Sequence, residues 1–373
     1  MSDPIRIIQV FAQMNRGGAE TMIMNLYRMI ERSQIQFDFI VHTNEECAYD
    51  NEIRSLGGRI YRVPRYNGKN HFEYIKSWNK FFKTHPNYKI IHGHVRSTAS
   101  IYLKIAKKFG LVTIAHSHST SSGTGFSSIV KNILQYPIRN IADYLFACSE
   151  QSGEWLFGKN ASKRNNFVIL KNSIDVKKFV FNERVRFEKR KELKIDDKFV
   201  IGHIGRFIPS KNHKFLVDIF NHVHQRNKNS MLLLVGDGEL RQLVQKKVNS
   251  LGLTDNVIFT GIRSDIQEIL QAMDVFVFPS LYEGLPVTLI EAQAAGLRVF
   301  TSTNVTKEVG ITELVTFLPL EQSPEYWAKQ ILLCCKGYQR RDVSKALVDK
   351  GYDVRQTAKQ LEQFYLNCLT DIV

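Results

Sequence analysis

The sequence predicts an α/β protein built on two open parallel sheets. Three observations carry this. Short β-rich apolar runs alternate with helical stretches along nearly the whole chain, the alternation breaks once over 176–198 and restarts, and each half opens on a glycine-containing turn from strand to helix. Such alternation implies a parallel sheet covered on both faces. The 373 residues suit two or three domains. A hydrophobic fraction of 43% and a charged fraction of 23% exclude a disordered chain, a collagen-like repeat and a disulfide miniprotein.

In the first half, IRIIQVFA (5–12) reads as the first strand, followed by Arg16-Gly17-Gly18 and a helix through Met22, Leu26, Met29 and Ile30. FDFIVHT (37–43), RIYRVP (59–64), KIIHGH (89–94), LVTIAH (111–116), YLFACS (144–149) and FVILKN (167–172) read as further strands. Residues 176–198 hold nine basic and five acidic side chains and read as a linker plus an exposed helix. FVIGHIG (199–205), SMLLLVG (230–236), NVIFTG (256–261), VFVFPS (275–280) and RVFTS (298–302) then form a second set. The boundaries are 1–175, 176–353 and an amphipathic C-terminal helix within 354–373, expected to pack back on the first domain. Ligands of open parallel sheets lie at the carboxyl ends of the strands, which places the expected site in the cleft between two facing domains.

The formal net charge is +15, and residues 1–175 carry 23 basic against 13 acidic side chains. Such a field attracts polyanions: nucleic acid, an anionic membrane surface or phosphorylated substrates. No nucleic-acid recognition module accompanies it. The five cysteines form no CxxC pair and read as reduced thiols. No apolar stretch reaches the length of a membrane span and the N-terminus does not read as a signal peptide, so the expected location is the cytoplasm.

Five groups of residues are candidates for chemistry. Gly205-Arg206 with Lys211 follows a strand, and the two cations can converge on a diphosphate; a solvated basic pair is the alternative. In PSLYEGLPVTLIEAQAAG, Gly284-Leu285-Pro286 turns into a helix beginning near Val287 and Thr288, whose free amides suit an anion. Glu283 and Glu291 are placed to bind hydroxyls at opposite ends of one ligand. His92 and His94, with His116 and His118, stand at two strand ends and suit a metal, a hydrogen-bonding or proton-carrying role near a sugar, or the core. Gly17 and Gly18 offer amides at the first turn. The helix at 69–83 carries Lys69, Lys76, Lys80 and Lys83 beside Phe72, Tyr74, Ile75, Trp78, Phe81 and Phe82, with Phe72, Ile75 and Phe82 expected on one face, which suits either a membrane surface or the sheet. VGDGEL (235–240) begins a dinucleotide fingerprint but has Arg241 at its last position, so that fingerprint fails.

The series GRFIPSKN, VGDGELR, FTG and FPSLYEGLPVTLIEAQAAG, with RGGAE, the strand-end histidines and VILKNSIDVKKF, resembles the retaining glycosyltransferases of family 4 over nearly the whole chain. TKEVGITELVTFLPL and SPEYWAKQIL are similar to its subgroup for bacterial capsular and extracellular polysaccharides. The resemblance implies the GT-B fold, two Rossmann-like domains facing each other across a cleft, and a hexosyl transfer of EC class 2.4. It implies that a nucleotide-sugar, read as a UDP-sugar, binds the second domain. Arg206 and Lys211 would neutralise the diphosphate, the amides near Leu285 to Thr288 would hold phosphate, Glu283 would orient the sugar and Glu291 would bind ribose. His116, with His118 as runner-up, would lie close to the donor sugar, with His94 nearby. Neither metal nor other cofactor is implied. The acceptor would be a saccharide, expected on a lipid diphosphate at the inner membrane face, with no nucleic acid as partner. The sequence departs from the family at Thr303-Asn304-Val305-Thr306, where a glycine-rich loop is usual. A same-fold nucleotide-sugar 2-epimerase is the alternative reading, with a basic nucleic-acid-binding protein ranked after it.

Overall fold

The computed structural model describes residues 3–119 and 126–370. It divides into two compact units, Met1–Ser173 with Asp353–Val373, and Ile174–Tyr352. Among the described residues the first contains seven strands: β1 (Ile5–Phe11), β2 (Ile35–Val41), β3 (Ile60–Arg62), β4 (Ile90–Gly93), β5 (Val112–Ser117), β6 (Tyr144–Ala147) and β7 (Phe167–Ile169). They lie in the order β3-β2-β1-β4-β5-β6-β7 with every pair parallel. The second contains β8 (Phe199–Ile204), β9 (Ser230–Val235), β10 (Val257–Gly261), β11 (Val275–Phe278), β12 (Arg298–Ser302) and β13 (Val315–Leu318), in the order β10-β9-β8-β11-β12-β13, also parallel.

Burial explains the near-continuous apolar runs. Every residue of β2, β8, β9 and β11 is buried, as expected where helices cover both faces of a parallel sheet. The strand order reverses between β1 and β4 in the first unit and between β8 and β11 in the second. At these switch points the flanking connections leave to opposite faces, which opens a crevice at the carboxyl ends.

Four details differ from the sequence reading. Strand β13 is a four-residue edge strand, too short and too exposed to declare itself by periodicity. The helix Glu183–Leu193 is not freely solvated, because Lys189 and Arg190 are buried. Lys189 Nζ lies 2.8 Å from Asp265 and 2.9 Å from Glu268, and Arg190 reaches Asp274 at 3.3 Å. Those partners are far downstream, so a local window reads the cations as solvated. The helix His71–Thr84 turns Tyr74, Trp78, Phe81 and Phe82 into the core, while Phe72 is 86% exposed. The helical spacing therefore selects Tyr74, not Phe72, for the inner face. In the fourth case, the boundary segment near 174–176 belongs to the second unit, where the Ile174 amide donates to the Tyr352 carbonyl.

The C-terminal helix Val354–Thr370 buries Val354, Ala358, Leu361, Tyr365 and Cys368 in the first unit's core beside Phe37 and Phe146. Residues 371–373 lie outside the described residues. Among the described residues, no helix is long and apolar enough to cross a membrane. Among the described residues, none of the five cysteines forms a disulfide.

Candidate active site

The second unit gathers its candidates at the β8/β11 switch point. Gly205 and Arg206 follow β8, and the Gly205 amide donates to the Val235 carbonyl at 3.0 Å. Arg206 is exposed. Lys211 ends the short turn Pro209–Lys211, and Asn212, in the left-handed region at φ 54°, launches the helix His213–Arg226. The Lys211 ammonium lies 2.8 Å from Glu283 Oε1 and 4.5 Å from the centre of the Phe278 ring. The Leu281 amide donates to the Ser210 carbonyl at 2.7 Å, which clips the two loops together. Thus a cation and a carboxylate from separate loops meet at one place.

Gly236 and Gly238 have a structural task, not a dinucleotide one. Their φ values of 130° and 154° disfavour a side chain. A Cβ on Gly236 would stand 2.2 Å from the Gly205 carbonyl oxygen, and one on Gly238 2.7 Å from that of Phe207. Phe207 in turn donates to the Asp237 carbonyl at 3.0 Å. The loop after β9 therefore lies edge-on against the loop that carries Arg206.

Gly284, Leu285 and Pro286 lead into the helix Val287–Ala294, whose start has no side-chain cap. The amides near Val287 and Thr288 thus have the polarity an anion needs. Glu291 lies a turn further on, and burial pushes its carboxyl up to about 7. The raised value means that the folded chain holds this proton where the unfolded chain has released it. Stability without ligand therefore declines as pH rises from about 4.5 toward 7. Glu291→Gln removes this penalty. The variant's melting temperature should exceed wild type by a few degrees at pH 8 and match it at pH 4.5; equal differences at both would exclude the carboxyl as the cause. The segment Thr303-Asn304-Val305-Thr306 is tied to the same place, since Asn304 Nδ2 donates to the Leu281 carbonyl at 3.1 Å.

In the first unit, period-two strand geometry puts Gln9, His92, His94, His116 and His118 on one sheet face at the β1/β4 switch point. His92 Nε2 and His116 Nδ1 are 3.1 Å apart, and His94 Nδ1 and His118 Nε2 are 2.7 Å apart. The His116 and His118 rings stack with centres 4.0 Å apart. Burial holds His92, His94 and His116 well below the usual imidazole range, and His118 at about 3. All four are therefore neutral at physiological pH. Among the described residues, His92, His94 and His116 also form a group able to hold a metal ion, with one ligand atom from each within 4.8 Å of the others. Two members of the network were not singled out from the sequence, Gln9 and Tyr365. The i, i+2 spacing signals the shared face of the histidines, but only the packed C-terminal helix reveals Tyr365.

Gly17 caps the helix Gly18–Met29. The Glu20 carboxylate folds over it, 2.2 Å from where a Cβ would stand. This turn already carries an acidic group, whereas the turn at Pro286 carries none. Two cavities lie within single units. One of about 870 Å³ opens at the carboxyl ends of the first sheet and is lined by His42, Arg65, Tyr66 and Lys131 among others. The other, about 840 Å³, lies at the amino ends of the second sheet, where Asp274 is paired with Arg186 and Arg190. Only the first is at the end of a sheet where α/β proteins place ligands.

Comparison with known proteins agrees with this architecture. Residues 16–178 match the family described as Glycosyltransferase Family 4, and residues 185–353 match Glycosyl transferases group 1. The chain is 36% identical over 368 residues to EpsF of Bacillus subtilis (strain 168), named as a glycosyltransferase, covering 96% of each chain. It is 22% identical over 370 residues to the capsular polysaccharide biosynthesis glycosyltransferase CapH of Staphylococcus aureus, covering 97% of this chain and 99% of that one. In fold it is similar to HepE of Anabaena, solved in complex with UDP and glucose, at a TM-score of 0.79 and 18% identity over 97% of this chain and 100% of that one. With both halves matched and a relative of this identity along almost its whole length, the chain belongs to the glycosyltransferases of family 4 and has the GT-B fold.

Proposed function

We propose that this glycosyltransferase moves a hexosyl group from a UDP-sugar, with retention at the anomeric carbon, to a saccharide carried on a lipid diphosphate, in the synthesis of a bacterial capsular or extracellular polysaccharide. The convergence of Lys211 and Glu283 at the β8/β11 switch point carries the reading. The names of EpsF, CapH and an Escherichia coli relative support it. That relative, 28% identical over 58% of each chain, is named a UDP-Gal:α-D-GlcNAc-diphosphoundecaprenol α-1,3-galactosyltransferase.

In this reading Arg206, Lys211 and the amides at Val287 and Thr288 hold the diphosphate and stabilise the charge it gains as the leaving group. Glu283 exchanges its bond with Lys211 for hydroxyls of the donor sugar and orients the ring. Glu291 accepts from the ribose as a carboxylate. The bond from the anomeric carbon to the diphosphate oxygen breaks with its electron pair on the diphosphate. The acceptor hydroxyl bonds to that carbon from the same face and yields its proton to the departing phosphate oxygen. No step calls on a metal ion.

The acceptor is assigned to the cavity of the first unit. Arg65 and Lys131 supply positive charge at its wall. The helix Phe126–Gln135 beside it exposes Ile129 at 56% and Ile133 at 68%, one turn apart. Cations beside an apolar helix face suit an anionic lipid surface. Ile129→Glu with Ile133→Glu should weaken binding to phosphatidylglycerol vesicles, read by sedimentation, by about thirtyfold, since each isoleucine gives up on the order of 1 kcal/mol of burial. Unchanged sedimentation would remove this face from membrane contact.

Thermal stability in the presence of UDP, GDP or ADP, each with and without EDTA, tests the donor assignment. One nucleoside diphosphate, expected to be UDP, should raise the melting temperature by several degrees, equally in both conditions. No shift with any of the three would overturn the donor site. A shift that EDTA abolishes would overturn metal independence.

A further inference from the structure

The four histidines are links in one continuous hydrogen-bonded run. Tyr365 from the C-terminal helix places its hydroxyl 2.7 Å from His92 Nδ1 and 3.1 Å from Gln9 Nε2. Gln9 Oε1 is 2.9 Å from His94 Nε2. The run is therefore His116–His92–Tyr365–Gln9–His94–His118. Gln9 and His92 are 0% exposed, and His116 and Tyr365 are 1% exposed. At each end one buried ring nitrogen, His116 Nε2 and His118 Nδ1, has no hydrogen-bond partner.

A neutral imidazole has one donor and one acceptor nitrogen, so each link dictates the next. The Gln9 amide nitrogen donates to Tyr365, whose hydroxyl donates to His92 Nδ1. His92 must then donate from Nε2 to His116 Nδ1, which leaves the proton of His116 on Nε2. On the other arm, His94 donates from Nε2 to Gln9, so its Nδ1 accepts from His118 Nε2, which leaves His118 Nδ1 as a bare lone pair. Turning the Gln9 amide over would reverse every link together. In either sense one end is a donor, the other is an acceptor, and all four rings share one tautomer.

We propose that Gln9 and Tyr365 are positioning residues which hold His116 and His118 as a paired donor and acceptor for a sugar hydroxyl. A hydroxyl both accepts and donates and satisfies both ends. A phosphate, which only accepts, would meet the lone pair of one end unfavourably. Charging the rings to suit a phosphate is opposed by their burial. The pair thus selects a neutral hydroxyl over an anion. The sugar assignment rests on the glycosyltransferase reading above; the polarity of the run does not.

Two-bond proton–nitrogen spectra of the full chain with nitrogen-15 histidine, recorded near pH 7 and assigned by single His→Asn variants, test the run. All four rings should be neutral and carry the proton on Nε2. A charged ring, or different tautomers among the four, overturns the proposal. Tyr365→Phe should release the tautomers of His92 and His116 and leave those of His94 and His118 fixed. Gln9→Leu, which keeps Tyr365 as a packing group, should release both arms. Unchanged tautomers in both variants would show that the run positions nothing.

The ligand arm uses UDP-glucose, UDP, and glucose without nucleotide. Movement of the His116 and His118 signals with UDP-glucose, but not with UDP, identifies the hydroxyl as belonging to the nucleotide-linked sugar. Movement with glucose alone identifies a free saccharide. Movement with neither, or equally with UDP, overturns the hydroxyl assignment. Because UDP reports the donor site through its own thermal shift, failure here is distinguishable from failure of the donor reading.

Discussion

Replacing Arg206 and Lys211 together with alanine is expected to abolish stabilisation by nucleoside diphosphate and to lower transfer by at least about 10³-fold. A single preorganised donor aimed at developing charge is worth about 10²–10³ in turnover, and in the proposed reading these two cations hold the diphosphate. The control is Glu283→Gln. Lys211 is engaged at 2.8 Å by the Glu283 carboxylate, so binding a diphosphate competes with that ion pair. Neutralising Glu283 frees the ammonium. It should therefore keep or strengthen the shift with UDP while transfer falls, because the sugar loses its orienting carboxylate. If the double alanine variant still responds to UDP, the diphosphate binds elsewhere. If Glu283→Gln loses the shift along with the activity, its carboxylate holds the nucleotide and not the sugar.

The two sheets and the turns at their strand ends were legible because burial on both faces writes each strand as an apolar run, and because Gly205, Gly284 and Pro286 punctuate those turns. The four histidines were legible as a cluster, since HGH and HSH each put two rings on one face. What the spacing left open was set by distant partners. Lys189 and Arg190 read as surface charge until Asp265, Glu268 and Asp274 arrive beside them. Tyr365 reads as one aromatic of an amphipathic helix, and its hydroxyl acquires meaning only where that helix meets β1 and β4. Phe72 and Tyr74 differ by two positions on one helix, and the registry of packing decided which is inside. The glycines of VGDGEL begin a dinucleotide fingerprint that fails at Arg241, and their reason is contact between two backbones.

That last contact yields a second large effect. Gly236→Ala should cut transfer by about 10²-fold with the fold retained, because it moves the loop that carries Arg206. The new methyl would stand 2.2 Å from the Gly205 oxygen and 3.0 Å from its carbonyl carbon. Both are backbone atoms, so no rotamer change relieves the overlap; the loops must part by roughly 1 Å, a displacement that costs about 10²-fold when it reaches a reacting group. The residue's φ of 130° adds strain of about 1–3 kcal/mol. Strain alone is separated from displacement by Gly252→Ala. Gly252 also has a positive φ, 68°, but a Cβ there meets nothing within 4 Å. That variant should lose about 1 kcal/mol of stability and keep full transfer and UDP response. Equal losses of transfer in the two variants would show that strain, and not the position of Arg206, governs the site. Loss confined to Gly236→Ala would show that a glycine thirty residues beyond the cation helps hold it in place.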